Sequence, residues 1–167
     1  MAGRSTRTKN GRGLTGPRTV ATNRRARFNY HLIEEFDAGI QLLGTEIKSI
    51  RQGQVNLGDG FVMVRDGEAW LHNVHIAPYS HGNRQNHEEM RPRKLLLNKR
   101  EIRRIATSAA QKGLTTVPVR LYISNHGLAK VVVALAKGKQ QHDKRDTIAQ
   151  RDAQRSMARA RKQVYED

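Results

Sequence analysis

Apolar residues are confined to one part of this chain. Nearly all of the Val, Ile, Leu, Phe and Trp lie between residues 28 and 136, a stretch of 109 residues, and the flanks are basic and polar. Only that stretch has enough apolar surface for a core, and it suits one modest domain. A polar, Gly-rich flank cannot bury enough to offset the entropy of ordering it. Charge follows the same division. The chain carries 31 Lys and Arg against 15 Asp and Glu, a net of +16. Residues 1–27 hold eight bases and no acid, residues 28–136 hold fourteen against ten, and residues 137–167 hold nine against five. Half of the excess therefore sits on the first 27 residues, among Gly3, Gly11, Gly13, Gly16 and Pro17. A basic excess of this size answers a polyanion. The expected organisation is a disordered basic arm over 1–20, a folded unit over 21–136 and a basic tail over 137–167.

Several classes fall away. The chain has no cysteine, which excludes disulfides, thiolate metal sites and a cysteine nucleophile. No run of about 18 apolar residues is present to span a membrane, and no basic stretch leads into an apolar secretory core. A cytoplasmic protein is expected.

Within the middle, Phe28–Phe36 reads as a strand, and Ile40–Leu43 extends it past Gly39. Thr45 is a candidate N-cap for a short helix through Arg51, with Gly53 as its left-handed stop. Phe61–Arg65 and Ala69–Ile76 flank Asp66-Gly67, the signature of a type I′ hairpin. Strict alternation puts Trp70, His72, Val74 and Ile76 on one face, with His72 structural. Residues 78–93 read as a polar loop. Asn98 and Glu101 have capping-box spacing, and Ile102, Ile105, Ala106, Ala109 and Ala110 form a helical stripe ending at Gly113. Lys99, Arg100, Arg103 and Arg104 cover the rest of that helix and read as a solvated face. Val117–Ile123 and Leu128–Ala136 form a second hairpin, and VVVALA suits a doubly covered central strand. The expected fold is mainly β: about six short antiparallel strands with one core helix, closing into a small OB-fold-like barrel.

No catalytic pattern emerges. The histidines match no zinc spacing, both phosphate-binding glycine fingerprints are absent, and Glu34-Glu35 and Glu88-Glu89 are adjacent pairs that a strand points apart. Neither an enzyme nor a cofactor or metal is expected. The tail is more informative. On a helix, Lys144, Arg151, Arg155, Arg159 and Lys162 fall within about 80°, opposite Ala149, Ala153, Met157, Ala160 and Val164. Such a stripe tracks an RNA backbone without reading bases, and the tail is expected to be disordered alone and helical on RNA. His142 before it suits stacking on a base. From these residues alone a general RNA-binding protein with basic tails and an RNA-processing enzyme remain open.

A family resemblance narrows this. The opening Asn23-Arg24-Arg25-Ala26-Arg27 is followed by Tyr30 and Glu34-Glu35-Phe36-Asp37-Ala38-Gly39. Gly44–Arg51, Arg93–Leu97, Lys137-Gly138-Lys139 and His142-Asp143-Lys144-Arg145 follow in order. Over about residues 20–160 the chain resembles SmpB, small protein B, the tmRNA (SsrA RNA)-binding family of bacterial trans-translation. That resemblance implies an OB-fold barrel of six antiparallel strands with about three helices, bound to the tRNA-like domain of tmRNA, which is delivered with elongation factor Tu to stalled ribosomes. Alanyl-tRNA synthetase is an indirect partner, and a monomer is expected. The barrel would replace the anticodon arm, and the tail would enter the empty mRNA channel as a helix. The tmRNA-binding positions it implies are Asn23, Arg24, Tyr30, Asp37, Leu97, Lys130, Lys137 and Lys139. Those meeting the decoding centre and 16S rRNA are Gly138, His142, Asp143, Lys144 and Arg145, with Arg151, Arg155, Arg159 and Lys162 following in the channel. The chain departs from common family residues at Asp37 (usually Glu), Phe61 (Tyr), Gln140 (Lys) and Ala153 (Trp).

Overall fold

The structure, a computed structural model, describes residues 16–164. Strand β1 (Arg18–Thr22) is followed by α1 (Arg24–Asn29), β2 (Tyr30–Ile40) and α2 (Gly44–Arg51). Next come β3 (Val55–Asn56), β4 (Phe61–Arg65), β5 (Glu68–His72), β6 (His75–Ile76) and β7 (Arg93–Leu96). Helix α3 (Lys99–Ala109), β8 (Leu114–Ile123), β9 (Ala129–Gly138) and α4 (Gln141–Val164) complete the chain. The main sheet has order β1-β8-β9-β2-β7-β5-β4, and β3 pairs with β6 in a separate ribbon. Every pairing is antiparallel. From the far edge β4 returns to lie alongside β8, so the sheet wraps around one core. The fold is mainly β, as expected, with seven strands in the main sheet rather than six and four α-helices rather than about three.

The long hairpins are where the residues place them. Asp66 and Gly67 both have positive φ, at 52° and 73°, as the type I′ turn requires. β9 is central, paired on both sides by β2 and β8, and Val131–Ala136 are all buried.

Five expectations change. First, residues 1–15 of the expected arm lie outside the described residues, while Arg18–Val20 already belong to β1, which pairs with β8. Second, the strand expected from Phe28 begins at Tyr30, because Asn23 caps a helix before it. Its Oδ1 accepts the Ala26 N–H at 3.0 Å. Third, Asn73 takes φ 57° and resets the alternation. Ala69 and Leu71 are therefore buried in β5 and Val74 and Ile76 after it, while Trp70 and His72 are half-buried. His72 stacks on Phe61 at 5.4 Å. Fourth, of the α3 stripe only Ile102 and Ile105 pack inward, and Ser108 is buried where Ala106, Ala109 and Ala110 are exposed. Fifth, β9 runs to Gly138, two residues past the expected end of the folded unit, and Gln141–Val164 is helical.

Three strands, β1, β3 and β7, were not expected from the sequence. β7 falls where a loop and then a helix start are expected, because one of its two core-facing residues, beside Leu95, is charged. Arg93 has no exposed surface, and its Nε donates to Glu46 Oε1 at 2.8 Å. Glu46 itself stands at the third position of α2 and accepts the Leu43 N–H at 2.7 Å. That makes Leu43 the helix N-cap instead of Thr45, whose Oγ1 meets His87 Nδ1 at 2.9 Å.

Candidate RNA interface

Two surfaces form at opposite ends of the β2–β9 ladder. At one end, register sets Lys130 of β9 beside Tyr122 of β8 and Gly39 of β2. Asp37, two residues earlier on β2, points to the same face. The Tyr122 hydroxyl donates to both Asp37 oxygens at 2.8 and 2.9 Å, and Lys130 Nζ donates to Oδ2 at 3.1 Å. Burial, then the Asp37 carboxylate, pushes the Tyr122 phenol up. Asp37 likewise holds the Lys130 ammonium above its ordinary value. Arg120 lies over the Tyr122 ring at 5.1 Å. Beside this trio is an apolar hollow lined by Gly39, Leu43, Leu96, Leu128 and the stem of Arg51. Leu43, Leu96 and Leu128 are all at least half exposed. Leu97, the implied RNA contact, packs against the core instead, and the neighbouring Leu96 faces outward.

The other end joins barrel and tail. Gly138 pairs with Tyr30, and the Lys139 N–H donates to Asn29 O at 2.8 Å. Lys139 Nζ reaches Arg27 O at 3.3 Å and Thr147 Oγ1 at 3.2 Å. Lys137 is exposed. Asp143, at the third position of α4, accepts the Gln140 N–H at 3.1 Å, the carboxylate half of a capping box. His31 Nε2 of β2 donates to the same carboxylate at 3.3 Å, and His142 Nε2 lies 3.1 Å from its other oxygen. The His31 and Gln140 hydrogen bonds hold the Asp143 carboxyl below its ordinary range. The His142 ring is 73% exposed, Lys144 half-buried and Arg145 exposed.

Beyond Thr147 the helix faces solvent from Ile148 through Arg161, with Arg151, Arg155 and Arg159 exposed. Its apolar side is uncovered, and Met157 is 65% exposed. The backbone at Lys162 is helical, and its side chain lies outside the described residues.

The implied tmRNA positions thus divide. Asp37 and Lys130 meet at one end, while Arg24, Tyr30, Lys137 and Lys139 gather at the tail end, roughly 20–25 Å along the strand. Asn23 is corrected from an RNA-facing residue to a buried one. It is 4% exposed, and its Nδ2 donates to Leu57 O and Pro118 O at 3.0 and 2.9 Å. With both ends of the amide occupied, it orients α1 and Arg24 rather than meeting a ligand. Sequence reasoning missed Tyr122, Arg27, Leu96, Leu128 and His31. Only Tyr122 had a local signal, since the turn around Asn125–Gly127 pairs it with Lys130.

Among the described residues no group of three or more His, Asp or Glu is set to hold a metal ion, and no helix is long and apolar enough to cross a membrane.

Comparison with known proteins finds relatives over most of the chain. A family model described as SmpB protein matches residues 20–163. An SsrA-binding protein of Trichodesmium erythraeum is 54% identical over 149 residues, covering 89% of this chain and 95% of the relative. One from Carboxydothermus hydrogenoformans is 51% identical over 146 residues, covering 87% and 97%. Among solved structures, a chain from "tmRNA-SmpB: a journey to the center of the bacterial ribosome" is similar with a TM-score of 0.63 and 44% identity. That likeness covers 77% of this chain and 93% of the other.

Proposed function

The chain belongs to the SmpB family, and from that premise we propose that it binds the tRNA-like domain of tmRNA and delivers it to stalled ribosomes in trans-translation. In this reading it is a cytoplasmic, non-enzymatic adaptor that acts as a monomer, alongside elongation factor Tu and after alanyl-tRNA synthetase has charged the RNA. The observation that carries the reading is the separation of two RNA-suited surfaces at opposite ends of the β2–β9 ladder. The Asp37–Tyr122–Lys130 trio with its apolar hollow offers polar groups at fixed positions beside a surface for unstacked bases. The basic helix α4 offers a phosphate-tracking stripe at the other end.

In mechanism, the barrel grips the folded RNA and occupies the place of the missing anticodon arm. Lys137 and Lys139 neutralise phosphates where the chain leaves β9. Asp143 caps α4 and receives His31, which sets the direction in which the tail departs. With Gly138 at the end of β9, Lys144 and Arg145 contact rRNA around the decoding centre. His142 stacks on an rRNA base, and Arg151, Arg155, Arg159 and Lys162 follow the mRNA channel. Leu97 supports the tmRNA face from the core side.

The test is a truncation after Gln140, which keeps the whole β9 ladder. It retains most tmRNA affinity in a filter-binding assay and abolishes peptide tagging on stalled ribosomes. Tagging by the truncated chain refutes the tail mechanism. A second arm uses His142→Ala, expected to leave free tmRNA binding nearly unchanged and to impair tagging.

A further inference from the structure

The reading above gives Arg24 to the barrel's RNA contacts and Arg151 and Arg155 to the tail's. The fold brings them together. Arg24 and Arg27 of α1 and Arg151 and Arg155 of α4 line one open cleft of about 320 Å³. Each pair sits three or four residues apart, on one face of its helix. Several acids on or beside these elements are paired with other bases. Asp59 pairs with Arg25 at 3.1 Å, Glu34 with Arg104 at 3.0 Å and Asp143 with His31 at 3.3 Å. Among the described residues Arg24, Arg27 and Arg151 have no ion-pair partner, and Arg155 has only Asp152 at 3.9 Å, within its own helix. Of the three arginines on α1, the fold therefore neutralises Arg25 and leaves the two that line the cleft.

Four guanidinium groups facing one space repel each other, and an anion between them removes that cost. Planar forked donors suit phosphate oxygens two at a time. Among the described residues no hydrogen bond or ion pair ties this part of the tail to the barrel. The contacts that fasten α4 to the barrel end at Thr147, and Ile148 through Arg161 are exposed.

We propose that this cleft is a phosphate clamp shared by barrel and tail: an RNA backbone phosphodiester bound by arginines of both helices fixes the angle at which α4 leaves the barrel. The proposal rests on the chain being an RNA adaptor and adds to it a site that exists only when tail and barrel are joined.

The experiment uses the full chain with cysteines introduced at exposed Gln111 and Ala160 for spin labels, the natural sequence having none. An unstructured oligouridylate narrows the barrel-to-tail distance distribution, and inorganic phosphate narrows it only at much higher concentration. Arg27→Gln with Arg151→Gln abolishes the narrowing and reduces the salt slope of oligouridylate binding by about one or more. Lys99→Gln with Arg100→Gln removes equal charge from α3 and changes neither. The same distribution with and without RNA overturns the clamp, as does equal loss in the two double variants. Narrowing by inorganic phosphate but not by RNA overturns the RNA assignment. Failure of the unmodified chain to bind tmRNA would instead sink the adaptor reading itself.

Discussion

Glu46 has no exposed surface, yet its carboxyl lies below the ordinary value. Burial pushes it up, and hydrogen bonds from Arg91, the Leu43 N–H and Arg93 more than reverse that. Arg91 donates at 2.8 and 2.6 Å, and Arg93 also donates to Val74 O and Glu89 O at 2.7 and 3.0 Å. Two motifs that look separate in the sequence, Gly44–Arg51 and Arg93–Leu97, are thereby one buried ion cluster joining α2 to β7. Glu46→Gln leaves two guanidinium groups without their counter-charge and is expected to cost about 3–5 kcal/mol, read by urea unfolding. The sign of the pH effect follows from the lowered value. Glu46 contributes fully above the ordinary carboxylate value of 4.5, and its contribution is lost as pH falls through the lower folded value. The unfolding midpoint of the natural chain therefore falls in that acid window, and that of Glu46→Gln falls less. At the surface, Asp37→Asn removes the anion that raises Tyr122. Its phenol then titrates closer to 10.0, followed by ultraviolet absorbance, with burial keeping part of the rise.

At the scale of elements, what was legible was what neighbours in sequence decide. The Asp66-Gly67 turn, the Asn98 and Glu101 box of α3 and the apolar run of β9 each need only a few consecutive residues. What was not legible depended on distant partners. β7 was hidden because Arg93 reads as surface until Glu46 is known to face it. The β5 alternation went wrong at Asn73, whose left-handed backbone and Nδ2 bond to Asp59 O at 3.0 Å shift the phase by one residue. Gly60 belongs to the same class. A Cβ there would stand 2.7 Å from Val74 Cγ2 and 2.8 Å from Pro118 Cγ, where β4 comes back against β8. Gly60→Ala is expected to cost about 1–3 kcal/mol in thermal or urea unfolding, as overpacking does. Gly58→Ala makes a useful contrast, since its nearest contact is the Asn56 side chain at 3.1 Å rather than core packing.

For the whole molecule, the β2–β9 ladder is a rigid spacer between two surfaces. Charge removed at either end acts differently. Lys130→Gln is expected to weaken tmRNA binding while leaving ribosome binding of the tail intact. Lys144→Gln with Arg145→Gln is expected to lower tagging on stalled ribosomes and leave free tmRNA affinity within about threefold, a difference of less than about 1 kcal/mol. Filter binding and a tagging assay on the same variants check the pair, and parallel loss in both would show one undivided surface. The sequence by itself determined the confinement of the core, the division of charge among arm, barrel and tail, the main hairpins and the family. The first three rest on composition or on residues a few places apart, and the family on motifs in fixed order along residues 20–160. Only the tertiary structure decided that Asn23 is buried, that Tyr122 joins Asp37 and Lys130, and that Arg24 and Arg27 meet Arg151 and Arg155. Those arrangements depend on strand register and on packing between elements up to about 130 residues apart, which no local periodicity encodes.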